Sequence, residues 1–243
     1  MSNVIDSSPW TATVLTLFPE AFAGVLDTSV IGTAKKNHIW ALETVDIRKF
    51  ADNRRRNVDG TPAGGGPGMV LRADIAARAV DSVIDDHRPL IYLTPRGMPL
   101  TQKRVSELAA GQGAVLVCGR FEGLDQRVID ARQMEEISIG DFVLAGGEVA
   151  AQALIEACVR LLPGVLGATE STAEESFENG LLEYPLYTQP REWEGRRIPE
   201  VLLVGNHGRV ADWRRARQIE ITKSRRPELY EAWLANGGDH ECD

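Results

Sequence analysis

The feature that most constrains the fold is Ala114–Cys118, AVLVC, an uninterrupted apolar run of strand length. A strand that is apolar at every position has both faces covered, which is typical of a parallel sheet with helices on each side. Apolar residues at helical spacing predict a helix over Ala73–Asp86, and a second helix is predicted over Gln102–Ala110. Alternating strands and helices therefore predict an α/β fold built on a parallel sheet.

Other segments continue this alternation. Strands are predicted at Thr13–Leu17, at Trp40–Ile47, in LIYLTP (90–95) where Pro95 ends the strand, and at the end of FVLAGG (142–147). Further helices are predicted at Asp125–Ala131, Glu148–Leu161, Ala211–Ile221 and Pro227–Leu234. Residues 59–69, DGTPAGGGPGM, predict a loop, because glycine and proline disfavour both regular structures.

The composition changes after residue 166. Residues 167–182, GATESTAEESFENGLL, are mostly small, polar or acidic, which predicts a flexible linker. We therefore predict a parallel-sheet domain at 1–166, the linker at 167–182, and a small, mainly helical domain at 183–243.

Charge and cysteine content restrict the location and the partners. The net charge is −8, yet His207–Pro227 contains seven Arg and Lys, and a second basic cluster spans Arg48–Arg56. Each cluster is either a solvated face or a surface for a polyanion. The chain has no apolar run of membrane-span length, and its first residues lack the basic start of a signal peptide. Three cysteines without metal-ligand spacing predict free thiols in a cytoplasmic protein.

Two glycine-containing stretches raise the question of a ligand: CGRFEGLDQRV (118–128) and SIGDFVLAGGE (138–148). Neither has the spacing or the lysine of a P-loop, and neither has the Rossmann glycine fingerprint. Glu122, Asp141 and Glu148 lie within them, where carboxylates would repel a polyphosphate. The loops therefore favour a ligand that is cationic or is recognised by backbone groups.

These residues also carry a family resemblance. The motifs YLTPRG (92–97), CGRFEGLDQRV, SIGDFVLAGGE and RLLPGVLG (160–167), with TPAGGGPGM upstream and YTQP and VLLVGNH downstream, resemble the bacterial tRNA (guanine-N1)-methyltransferases. The resemblance covers nearly the whole chain in one order. It implies a knotted methyltransferase of the SPOUT class, in which the second half of the catalytic domain forms a deep trefoil knot.

The resemblance implies that S-adenosylmethionine binds, bent, in three loops of that knot. The residues that it places at the cofactor are Leu93, Thr94, Pro95, Gly119, Phe121, Glu122, Gly123, Ile139, Gly140, Asp141, Phe142, Val143, Leu144, Gly146 and Gly147. Taken one at a time, each glycine is equally well explained by a tight turn.

The resemblance further implies methylation at N1 of guanosine 37, next to the anticodon. Arg160 corresponds to the arginine that stabilises charge on guanine O6, although a helix C-terminal position explains an arginine there equally well. Glu175, in AEESF, stands where the family usually has the aspartate base. Glu174 or Glu170 are alternative bases, and all three acids are also explained as solvating the linker.

On the guanine side, the sequence departs from the family in RRNVDG (55–60), where Arg55 replaces a histidine and Gly60 an aspartate. Asp59 remains to read the guanine edge, and Arg56 remains beside it. Phe121 stands where tyrosine is common. None of these departures removes a group that we identify as essential.

The resemblance also implies partners. The basic run that includes Arg214 and Arg215 would bind phosphates of the anticodon stem-loop. An antiparallel homodimer with its active sites at the subunit interface is implied, as is a magnesium requirement, without a dedicated protein metal site. Another knotted RNA methyltransferase that modifies a different nucleotide, or an RNA-binding module without catalysis, remains an alternative.

Overall fold

The computed structural model describes residues 8–84, 87–166 and 175–238. The chain divides into two compact units, Met1–Gly167 and Ala168–Asp243. Residues 167–174 of the predicted linker lie outside the described residues.

In the first unit, strands alternate with helices as predicted. The elements are β1 Trp10–Thr16, α1 Ser29–Lys36, β2 Trp40–Asp46, β3 Asp59–Gly60, β4 Val70–Leu71, α2 Ala73–Asp81, β5 Leu90–Pro99, α3 Gln102–Ala109, β6 Gly113–Cys118, α4 Gln126–Ala131, β7 Glu135–Ser138 and α5 Glu148–Val159. Short 3-10 turns at Pro19–Phe22, Val25–Asp27 and Ile47–Phe50 follow β1 and β2.

Five strands form one sheet in the order β2-β1-β6-β5-β7, and every neighbouring pair is parallel. The α/β prediction is therefore confirmed. Alternate residues of β6 enter two different cores: Ala114, Leu116 and Cys118 pack in the core that includes α3 and α5, and Val115 and Val117 in the core that includes α2 and α4. This double burial is the reason for the continuous apolar run.

The prediction that Pro95 ends the strand was wrong, because β5 continues to Pro99. Leu93 and Met98 both pair with Ile137, so residues 94–97 bulge out of the sheet. Within a bulge, the missing N–H of proline removes no ladder hydrogen bond.

The predicted strand end in FVLAGG was also wrong. The last strand of the sheet is β7, whose sequence EEIS has only two buried residues and therefore lacks a strong apolar signal. Residues 142–147 are irregular, and their β-type pairing is limited to an isolated antiparallel bridge between Gly146 and Arg120.

Smaller corrections concern element ends. The predicted loop at 59–69 begins with β3, in which Asp59 pairs with Leu71. The helix predicted to Asp86 ends at Asp81, and Asp85 and Asp86 lie outside the described residues. The helix predicted over Glu148–Leu161 ends at Val159.

The second unit contains the hairpin of β8 Glu192–Trp193 and β9 Arg196–Arg197, a 3-10 turn at Glu200–Leu202, and the helices α6 His207–Arg225 and α7 Pro227–Ala235. The sequence did not predict the hairpin, and α6 is longer than expected. Leu181, Tyr230 and Trp233 form a small core. Throughout the described ranges, no helix combines the length and the apolar character needed to cross a membrane.

Candidate functional site

A pocket lies at the carboxyl edge of the sheet, where three segments meet. The first is the β5 bulge, the second follows β6, and the third joins β7 to α5. The second and third are joined by a hydrogen bond from Gly147 N to Gly119 O of 2.9 Å. The carboxyl edge is where parallel α/β sheets bind ligands, because successive loops converge there.

The pocket brings together fourteen of the fifteen residues that the sequence placed at the cofactor; the exception is Asp141, which does not line it. The lining also includes residues that the sequence analysis missed, namely Tyr92, Arg96, Ile137, Ser138, Ala145 and Ala150. Tyr92 directly precedes the Leu-Thr-Pro motif, so its position next to the motif was the available signal.

Three glycines lie in the wall because no side chain fits there. A Cβ on Gly147 would stand 2.8 Å from the Cα of Cys118, although Gly147 has an ordinary φ of −78°. A Cβ on Gly119 or Gly123 would stand 2.8 or 2.7 Å from the Tyr92 hydroxyl. Backbone groups of these loops therefore form the surface that a ligand meets.

Tyr92 supports the second segment from below. Its hydroxyl accepts a hydrogen bond of 3.1 Å from Leu124 N. Burial raises the pKa of Tyr92 above its ordinary value, so the hydroxyl stays neutral. Tyr92 therefore supports the loop as a neutral side chain through this hydrogen bond.

Phe121 stands on the same segment in a strained conformation. Its φ is 59°, in the left-handed region, and 53% of its surface is exposed. A non-glycine residue in such a region costs about 1–3 kcal/mol and is often found at functional sites. Phe142 is also 53% exposed, Val143 84% and Met98 77%, which leaves an apolar surface on and near the pocket.

Backbone pairing and hydrogen bonds connect the segment of Asp59 to the pocket loops. Its partner Leu71 donates its N–H to Gly123 O at 2.9 Å, and Glu122 N donates to Met69 O at 2.9 Å. The segment with the predicted guanine-reading residue is thus attached to the segment that lines the pocket. Arg56 is exposed in the preceding turn, with a φ of 51°.

The two predicted catalytic residues do not line this pocket. Arg160 is the C-cap of α5, whereas the pocket meets the other end of that helix at Gly147 and Ala150. α5 has 12 residues, so its ends are roughly 18 Å apart at 1.5 Å per residue. Glu175 belongs to the second unit, and the alternative bases Glu174 and Glu170 lie outside the described residues.

In the second unit, Arg214 and Arg215 are half-buried. The guanidinium of Arg214 lies 4.6 Å from the centre of the Tyr184 ring, and that of Arg215 lies 4.9 Å from the Trp233 ring. A cavity of about 550 Å³ in this unit is lined by residues of α6, of α7 and of the chain next to them, Arg215 and Trp233 included. It lacks the converging backbone loops of the first pocket.

No group of three or more His, Cys, Asp or Glu side chains within 8–84, 87–166 and 175–238 is arranged to hold a metal ion. The magnesium requirement therefore remains a prediction from the resemblance alone.

The fold is that of a parallel α/β protein with a pocket at the carboxyl edge of its sheet, formed by glycine-containing loops. Comparison with known proteins gives the family. The profile described as tRNA (Guanine-1)-methyltransferase TrmD matches residues 11–232. The chain therefore belongs to that family.

Individual relatives agree. A protein of Nitrobacter winogradskyi named tRNA (guanine-N(1)-)-methyltransferase is 62% identical over 224 residues, which are 92% of this chain and 94% of that protein. A Caulobacter vibrioides protein with the same name is 60% identical over 229 residues, which are 94% of each chain. The resemblance seen in the motifs, and with it the expectation of a methyltransferase enzyme, is confirmed.

Proposed function

We propose that this protein transfers the methyl group of S-adenosylmethionine to N1 of guanosine 37 in tRNA. The observation that carries this proposal is the convergence of three glycine-containing loops in one pocket at the carboxyl edge of the sheet. The family and its named relatives supply the reaction class and the nucleic acid.

The pocket fits an uncharged nucleobase joined to a cationic group. Backbone groups of 139–144 are available to adenine, and Gly119 and Gly147 leave the wall free of side chains at their two positions. Glu122 is an exposed carboxylate of the lining, suited to attract a positive charge. The donor supplies a sulfonium-bound methyl group, which transfers by direct displacement.

The chain's own task is to make guanine N1 nucleophilic. N1 carries a proton near neutral pH, and Glu175 removes it as general base, which is typically worth about 10²–10⁴-fold. Arg160 stabilises the negative charge that then develops on O6. Asp59 accepts hydrogen bonds from the guanine edge, and Arg56 binds beside it.

The active enzyme is a homodimer with shared sites. Arg160 lies at the far end of α5 from the pocket, roughly 18 Å away, so a second copy is the natural source of this arginine. The exposed apolar surface of Phe121, Phe142 and Val143 supports an association that covers it.

The first unit forms the trefoil knot of the SPOUT class. The path of the chain near the pocket supports this. Residues 139–147 lead from the edge strand β7 back across the end of β6, where Gly147 is bound to Gly119. The segment 119–124 is also hydrogen-bonded to 69–71, so it lies between two other stretches.

The second unit binds the anticodon stem-loop through α6, whose basic residues include Arg214 and Arg215. Guanosine 37 leaves its stack to reach the pocket, which an unpaired loop permits at small cost. Because the substrate is tRNA, we place the enzyme in the cytoplasm, in keeping with the free thiols of Cys118 and Cys158.

The test is to incubate the protein with S-adenosylmethionine and tRNA transcripts that carry G or A at position 37. Nucleoside mass spectrometry then maps the methylated nucleotide. We expect 1-methylguanosine at position 37 of the G transcript only. Methylation at another position would favour a different knotted methyltransferase, and donor binding without methylation would favour an RNA-binding module.

A further inference from the structure

An ion pair between a buried carboxylate and a half-buried arginine lies next to the pocket and outside its lining. Glu148, the first residue of α5, is only 2% exposed. Its Oε2 lies 2.9 Å from Nε of Arg120, and its Oε1 accepts a 2.8 Å hydrogen bond from the Thr16 hydroxyl. Neither buried atom of the pair has another partner in the described part of the chain.

Arg120 connects this carboxylate to three segments. It follows Gly119 in the second pocket segment, and its guanidinium lies 4.5 Å from the centre of the Phe18 ring, just beyond β1. Its NH1 group donates a weak hydrogen bond of 3.4 Å to the carbonyl of Ala145, in the third pocket segment. One side chain therefore contacts the ends of several structural elements around the pocket.

The two charged side chains are packed tightly against the pocket wall at Gly146. A Cβ on Gly146 would stand 2.3 Å from Nε of Arg120 and 2.6 Å from Oε2 of Glu148. Gly146 lines the pocket on one side and touches the ion pair on the other. A change in either charged side chain therefore acts directly next to the pocket wall.

We infer that Arg120 and Glu148 are positioning residues that hold segments 119–123 and 144–147 at the spacing the methyl donor requires. The donor itself rests on the proposed function, whereas the role in loop spacing does not. The physical reason is that the Arg120 side chain joins its own segment to Ala145, to Glu148 and to the Phe18 ring, so the loops lose these contacts when the pair is removed. Loss of Arg120 alone would also leave the buried carboxylate of Glu148 without its opposite charge.

Two variants test this inference. Glu148→Gln keeps the size and an acceptor for Thr16 but leaves Arg120 without an opposite charge. The double variant Arg120→Met/Glu148→Leu removes both charges, which commonly preserves folding. Asp81→Asn is the control, because Asp81 and Arg132 form a two-bond ion pair of 2.6 and 2.7 Å in the same unit without lining the pocket.

The first measurements are the Kd of S-adenosylmethionine by calorimetry, the melting temperature, and KM separated from kcat. We expect both test variants to raise the donor Kd and KM by about tenfold or more, a difference of about 1.4 kcal/mol. The control should shift melting only. If Glu148→Gln does not fold, the double variant decides.

Hydrogen exchange of the donor-free protein separates this inference from the proposed function. We expect faster exchange at 119–123 and 144–147 in the double variant, but not in Asp81→Asn. A double variant with unchanged exchange there and unchanged donor Kd would overturn the inference. A wild-type chain that binds no donor would refute the proposed function, and exchange would still decide the positioning role.

Discussion

In the first unit, closely packed glycines form part of the pocket wall, whereas in the second unit basic side chains lie on aromatic rings. Gly119, Gly123 and Gly147 each stand too close to a neighbour for a Cβ. On the second unit, Arg215 lies over Trp233 and Lys223 over Tyr230, at 4.9 and 5.7 Å from the ring centres.

Under the proposed function, this difference corresponds to two kinds of recognition. A wall of backbone fixes the shape of a small ligand, so one added methyl group matters there. Arginine and lysine side chains that lie over aromatic rings keep their positive charge, which can bind a large polyanion. The contribution of such charges to the binding affinity falls as the salt concentration rises. Substitutions should therefore act sharply in the first unit and gradually in the second.

The largest effect is expected at Gly147. Gly147→Val should abolish donor binding, because a Cβ would stand 2.8 Å from Cys118 Cα while the backbone conformation itself is ordinary. Calorimetric titration with S-adenosylmethionine measures this. Gly111→Ala is the control, since its Cβ would meet Leu108 O at an ordinary 3.5 Å. If Gly147→Val still binds S-adenosylmethionine, then the tight packing of this glycine does not control donor binding, and the proposed contrast between the two units fails.

The next effect is expected at the two proposed catalytic residues, of which Arg160 belongs to the first unit and Glu175 to the second. Alanine at either position should lower the single-turnover rate by about 10²–10⁴-fold at saturating donor, with the donor Kd nearly unchanged. Glu178→Ala is a control for a neighbouring acid, and Glu175→Asp should restore activity. If Glu175→Ala keeps the full rate, our assignment of the base is wrong.

A smaller and salt-dependent effect is expected on α6. Replacing Arg214 and Arg215 with alanine should weaken tRNA binding several-fold at moderate salt and reduce the slope of log K against log salt by about 1–2. Filter binding over a salt series measures both. The lysine pair keeps the charge but changes the contact with Tyr184 and Trp233. An unchanged slope in the alanine pair would mean that these arginines only solvate the helix.

The last prediction concerns the reactivity of the buried thiols of the first unit, where no effect on donor or tRNA binding is expected. Burial raises the pKa of Cys158 to about 12 and the pKa of Cys118 well above its ordinary value. Because a raised pKa leaves less thiolate, alkylation of Cys158 at pH 8 should be on the order of a thousandfold slower than in the unfolded chain, and alkylation of Cys118 should also be slower. Peptide mass spectrometry after timed iodoacetamide treatment measures each cysteine. If Cys118 is alkylated at the same rate in the native and the unfolded protein, then this thiol is not buried in the core as the structure shows.

Local sequence was sufficient where a pattern repeats over several residues. The apolar run of β6 and the helical spacing of apolar residues in α2 predicted these two elements correctly. Both patterns record which residues of a segment are buried, whichever distant segment buries them. The local sequence predicted a wrong strand end at Pro95, because the bulge opposite Ile137 depends on a strand about forty residues away. It also missed β7, whose short and acidic sequence is a strand only because β5 lies beside it.

The sequence by itself determined the fold class, the glycine loops and, through the order of its motifs, the family. Only the tertiary structure decided that residues from 93 to 147 meet in one pocket and that Glu148 is buried against Arg120. The reason is that periodicity records how each segment faces a core, whereas contact between distant loops depends on the order of the strands in the sheet. No local pattern contains that order.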